Sequence, residues 1–148
     1  MKNFNSLLGK KITDIKIGDT AYFAKTISES DVNMYAGVTG DVNPMIVDEE
    51  FAKKTKYGRR IAHGMLIASF FSNIVGTKLP GPGTMHKSYK VRFLKPVFIG
   101  DSIETKVEVV QVCTDTNTVE VQVECINQDG EKVLEGQGLV FPPANQEE

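Results

Sequence analysis

Gly64-Met65-Leu66-Ile67-Ala68-Ser69-Phe70-Phe71-Ser72-Asn73-Ile74-Val75 is the stretch that decides the fold. Met65, Leu66, Ile67, Phe70, Phe71, Ile74 and Val75 surround almost the whole circumference of a helix instead of forming one stripe. Such a helix has to be enclosed by the rest of the molecule. It is too short to cross a bilayer core of about 30 Å. Gly76 and Pro80 are expected to stop it.

After this helix the period changes. Tyr89, Val91 and Phe93 alternate with Lys90, Arg92 and Leu94; Ile103, Thr105, Val107 and Val109 alternate with Glu104, Lys106 and Glu108. Val119, Val121, Val123 and Cys125 alternate with Glu120, Gln122 and Glu124, and Asp129-Gly130 marks a hairpin into a strand over Lys132–Phe141. Strict alternation predicts strands with one wet face. An apolar helix and an antiparallel sheet with one greasy face are both buried if the sheet curls around the helix, an α+β arrangement.

Before the helix, a short strand is expected around Thr20–Ile27. Ser28 and Asp31 form a capping pair for a helix with Val32, Tyr35, Ala36 and Thr39 as its buried stripe. Gly40 ends it. Asp41 to Arg60 reads as irregular, since Pro44 disfavours helix at Asn43. Asp48-Glu49-Glu50 then opens a short helix with Phe51 and Ala52 as its apolar contacts. No repeat or linker divides the chain, so residues 1–148 are expected to form one domain, with 1–11 and 142–148 as flexible ends.

The net charge of -2 excludes a global field that would recruit nucleic acid or an anionic membrane. The first eleven residues contain no apolar run for a signal peptide. A hairpin turning near Asp115-Asn117 sets Cys113 opposite about Thr118 and far from Cys125. No disulfide is expected, and two free buried thiols suit a reducing cytoplasm. No metal-ligand spacing is present.

Gly40-Asp41-Val42-Asn43-Pro44-Met45-Ile46-Val47-Asp48, followed by Arg60-Ile61-Ala62-His63-Gly64-Met65-Leu66, resembles the signature of the MaoC-like (R)-specific enoyl-CoA hydratases. Arg92-Phe93-Leu94-Lys95-Pro96-Val97-Phe98 before Gly100-Asp101 strengthens the resemblance, which runs from about Thr20 to Phe141. It implies a single hot-dog domain and reversible syn addition of water to a trans-2-enoyl-CoA. It also implies no metal or redox cofactor, the CoA thioester being the substrate, and a homodimer or dimer of dimers with the pocket at the interface.

Residue by residue, Asp41 matches the family's catalytic aspartate and Gly64 its oxyanion-hole residue. Ser72 matches a serine lining the site, and Asn43 can bond the loop or the ligand. Ile46 occupies the place of the family's catalytic histidine. Hydration needs a group to take a proton from water and one to protonate the α-carbon, and isoleucine can do neither. Activity is therefore expected to be impaired. Two other functions stay open: a non-catalytic acyl-CoA binder or inactive heterodimer subunit, and a hot-dog thioesterase.

Plainer roles exist for several of these residues. Asp41 could simply cap backbone groups, and Gly64 could simply permit close packing. His63 suits a structural place before the buried helix, and His86 reads as a surface histidine. Lys53, Lys54, Lys56, Arg59 and Arg60 are either a solvated face or, with Arg59 and Arg60 foremost, a grip on CoA phosphates.

Overall fold

The computed structural model describes residues 4–144. Strand β1 (Thr20–Thr26) leads into helix α1 (Glu29–Thr39), two single-turn helices α2 (Pro44–Val47) and α3 (Glu49–Ala52), and the long helix α4 (Gly64–Thr77). Strands β2 (Met85–Phe93), β3 (Ser102–Cys113), β4 (Thr118–Ile126) and β5 (Lys132–Phe141) follow. They form one five-stranded antiparallel sheet in the order β1-β3-β4-β5-β2.

The inward faces follow the alternation in the sequence. Ile103, Thr105, Val107 and Val109 are fully buried, as are Val119, Val121, Val123 and Cys125. They pack on α4, whose Leu66, Ile67, Phe70, Phe71, Ile74 and Val75 are all buried. The β3–β4 register sets Cys113 against Thr118 and Cys125 against Thr105, so the thiols stay apart. Cys125 is buried and its thiol is pushed up to about 11 by desolvation. Cys113 is only half-buried, because it lies at the end of its strand beside the turn.

Several sequence expectations need correction. α4 runs through Gly76 to Thr77, since packing on the sheet outweighs the weak helix propensity of one glycine. Met65 is 58% exposed and Phe93 51%, because no other described residue covers α4 and β2 at these points. Thr39 is exposed and serves the loop that follows; Phe51 is largely exposed, leaving Ala52 as the buried contact of α3. Pro44, read as a breaker, occupies the first turn of α2, where its missing N–H costs nothing.

The ends are docked more than expected. The Gly9 and Lys10 N–H groups donate to the carbonyls of Pro82 and Pro80, both at 2.8 Å. Gly9 is required there, since a β-carbon would collide with the Pro80 carbonyl. Pro142 and Pro143 are buried, and Asn117 Nδ2 donates to the Pro142 carbonyl at 3.0 Å. The rest of the expected flexible ends, residues 1–3 and 145–148, lies outside the described residues.

Gly138 on β5 faces Tyr89 on β2, and the tyrosine ring lies where a Gly138 side chain would stand. Gly138→Ala is expected to destabilise the protein by about 1–3 kcal/mol through overpacking. Thermal unfolding checks this.

Candidate active site

The site is assembled from the loop after α1 and the start of α4. Ser28 and Asp31 form the predicted capping box, and Gly40 closes α1 in the left-handed region at φ 75°. Thr39 Oγ1 donates to the Tyr35 carbonyl at 2.7 Å and accepts from the Asp41 N–H at 3.2 Å. Asp41 Oδ1 accepts from the Asn43 N–H at 3.3 Å, and Asn43 Oδ1 caps α2 by accepting from the Met45 N–H at 3.1 Å. Asp41 and Asn43 thus shape the loop with their own side chains. The Asp41 carboxylate remains exposed, and among the described residues its Oδ2 has no protein partner.

One bond joins this loop to α4. His63, 2% exposed, sets Nε2 at 2.9 Å from the Asp41 carbonyl, with its ring 4.8 Å from that of Tyr35. A carbonyl can only accept, so the imidazole proton sits on Nε2; Nδ1 is buried with no partner among the described residues. The residue before Gly64 therefore holds the Asp41 backbone. This is the structural role expected of His63.

Gly64 is the first residue of α4, and its N–H makes no hydrogen bond among the described residues. The helix dipole adds partial positive charge at that point. The Phe93 ring crosses it so closely that a β-carbon on Gly64 would lie 3.0 Å from the ring. Beside them opens a cleft of about 370 Å³ with Ile61, Ala62, Ile67, Val97, Val133 and Leu134 in its walls and Lys56, Tyr57 and Lys95 as polar members.

The 94–101 segment of that wall is fixed by backbone bonds. The Leu94 N–H donates to the Val133 carbonyl and the Ala62 N–H to the Val97 carbonyl, at 2.9 and 2.7 Å. The buried Asp101 carboxylate accepts from the Phe98 N–H and from Gln128 Nε2. The Arg-Phe-Leu-Lys-Pro-Val motif therefore contributes to the site as a wall, which periodicity alone would not reveal.

The other predicted residues are more dispersed. Ile46 is 5% exposed and belongs to the hydrophobic core. Arg60 reaches back over it: Nε donates to the Ile46 carbonyl at 2.5 Å, and the guanidinium meets Glu29 at 2.7 Å. That brackets α2 against α1. Arg59 stacks on Phe98 at 4.0 Å, and Lys53 pairs with Glu50. Of the five clustered cations, Lys56 is the one that lines the cleft.

Ser72 is eight residues along α4 from Gly64, about 12 Å at 1.5 Å per residue. It lies outside the cleft, with Oγ 3.3 Å from His86 Nε2. Sequence reading missed this contact, together with the cleft positions of Phe93, Lys95 and Tyr57.

Comparison with known proteins adds the following. Residues 14–129 match the profile of the MaoC like domain. An (R)-specific enoyl-CoA hydratase of Rhodospirillum rubrum is 43% identical over 88% of this chain and 90% of its own length. A 3-hydroxybutyryl-CoA dehydratase of Methylorubrum extorquens is 42% identical over 90% of this chain and 85% of its own. Among solved structures, the unliganded R-hydratase PhaJ1 of Pseudomonas aeruginosa superposes with a TM-score of 0.88 at 32% identity. That superposition covers 94% of this chain and 89% of PhaJ1.

Proposed function

This chain belongs to the MaoC-like domain family and has its hot-dog fold, and from that premise we propose that it is an (R)-specific 2-enoyl-CoA hydratase. The reaction is reversible syn addition of water to a trans-2-enoyl-CoA, without a metal or redox cofactor. The observation that carries this reading is the His63–Asp41 bond, which brings the Asp41 loop beside the free amide of Gly64. In this reading Asp41, which does not itself line the cleft beside Gly64 within one copy, is the base for water and the Gly64 N–H is the donor for the thioester oxygen.

In this mechanism the Asp41 carboxylate takes a proton from water as its oxygen bonds the β-carbon. The π electrons shift to the thioester oxygen, where the Gly64 N–H and the α4 dipole hold the charge. Asn43 keeps the loop in shape. Arg59, stacked on Phe98, is assigned to the CoA phosphates together with Arg60, which acts mainly through its bracket on Ile46. Ile46 fills the place of the family's histidine, so turnover is slow. Among the described residues, no helix is long and apolar enough to cross a membrane; the cytoplasm is the compartment proposed here because it keeps two free thiols reduced.

A homodimer, or a dimer of such dimers, completes the assembly. Support comes from the open face of α4, where Met65, Ser69 and Ser72 are exposed. The neighbouring edge strand β2 also carries exposed Met85 and Phe93.

Incubation with crotonyl-CoA tests the function. The expected outcome is slow loss of the enoyl absorbance with (R)-3-hydroxybutyryl-CoA as product. Free CoA without a hydroxyacyl product would make the protein a thioesterase. Tight binding with the double bond intact, before and after Ile46→His, would make it an acyl-CoA binder or a silent subunit.

A further inference from the structure

Loss of the histidine at position 46 leaves hydration short of one proton-carrying group, and the structure holds an unassigned one. Ser72 Oγ lies 3.3 Å from His86 Nε2, and His86 Nδ1 lies 2.7 Å from the Tyr89 hydroxyl. Residues three apart on a regular strand point to opposite faces. Here the β2–β5 register shifts between His86 and Ser88, so His86 pairs with Val140 and Tyr89 with Gly138, two residues apart on β5. This bulge turns His86 and Tyr89 to the same side, a use typical of bulges near functional sites. The Tyr89 ring is stacked on Phe71 at 4.4 Å. Burial raises its hydroxyl well above the usual pKa, so it stays neutral and orients the imidazole.

We propose that His86 delivers a proton to the reaction through Ser72, in place of the group missing at position 46, and that it serves the site of a second copy of the chain. The first half follows from the chain of contacts, which ends on the exposed serine of α4. The second follows from distance. Ser72 is about 12 Å along α4 from Gly64, whereas the carbonyl and the double bond of an enoyl thioester are adjacent. One protomer cannot bring both groups to the same thioester. The open face of α4 carries Ser72, so a second copy packed there receives it.

The inference rests on the hydratase reading. As water bonds the β-carbon, its proton passes to Asp41 and an enolate forms. The α-carbon then takes the Ser72 hydroxyl proton, which is replaced from His86 Nε2. His86 enters this step as the imidazolium and ends neutral, with its Nδ1–H donated to the Tyr89 oxygen. The proton on Asp41 returns to His86 through solvent, which restores both groups.

His86 is exposed, so His86→Gln leaves the fold intact. The crotonyl-CoA hydration kcat of the natural chain is expected to fall at least tenfold with KM within twofold. In the Ile46→His background the loss shrinks to about threefold, whereas a merely structural histidine would lower both backgrounds alike. Asp41→Asn and His86→Gln subunits, each impaired alone, are refolded together as a second test. About a quarter of the natural rate is expected: half the dimers are mixed, and each mixed dimer has one intact site.

His86→Gln with a kcat within twofold of the natural chain, or equal losses in both backgrounds, overturns the relay. No recovery in the mixture overturns its assignment to a second copy. If Asp41→Asn is inactive while His86→Gln is unaffected, the relay alone falls. If neither the natural chain nor Ile46→His hydrates crotonyl-CoA, the hydratase reading falls and takes the relay with it.

Discussion

Ile46→His raises the rate of crotonyl-CoA hydration by about 10² to 10⁴-fold, roughly 3 to 5.5 kcal/mol of barrier. The loop around position 46 is already built to hold a precise geometry. Asn43 caps α2, Pro44 starts it, and Arg60 clamps the Ile46 carbonyl from the α1 side. The new imidazole therefore arrives in a fixed place, five residues after Asp41, and supplies both a donor and an acceptor. It also enters an apolar niche, because Ile46 is nearly enclosed by core residues. Burying its polar atoms is expected to cost about 1–3 kcal/mol of stability. A Tm lowered by a few degrees should accompany the gain in rate, and steady-state kinetics beside thermal unfolding separates the two effects.

Asp41→Asn, introduced into the Ile46→His protein, removes that gain and lowers kcat by about 10³-fold or more. Asparagine keeps the shape of aspartate, and its Oδ1 can still accept the Asn43 N–H bond that forms the turn. The backbone carbonyl that His63 grips is untouched. The loop survives, and what disappears is the ability to take a proton from water. The signature is a lower kcat with KM little changed and an unaltered Tm. A parallel loss of folding would mean instead that Asp41 is a capping residue.

Much of this molecule is written locally in its sequence. Ser28 and Asp31 fix the start of α1, strict alternation fixes the faces of β3 and β4, and the turn at Asp115–Asn117 fixes Cys113 against Thr118. These features need only neighbours within a few residues. The misses concern burial decided from a distance. Met65 and Phe93 are apolar yet exposed because one lies on the open face of α4 and the other over a cleft. Gly76 stays helical because its neighbours Ile74 and Val75 are buried in the core and hold the last turn of α4.

The site divides in the same way. Asp41, Asn43, His63 and Gly64 were legible because a motif carries them, and the fold brings Asp41 and His63 into contact. Arg60 looked like a surface cation, but its side chain is largely hidden and bonded to Ile46 and Glu29. His86 looked incidental, since its link to Ser72 joins α4 to β2 across a bulge that no period encodes.

The central claim is that the loop at Asp41 and the amide of Gly64 address one thioester. A crystal structure of the natural chain with crotonyl-CoA tests it directly, since the slow turnover expected with Ile46 favours capture of the substrate. The thioester oxygen is expected within hydrogen-bond distance of the Gly64 N–H, with the β-carbon one water away from the Asp41 carboxylate. A thioester bound elsewhere, or one with its double bond out of reach of Asp41, would contradict the account.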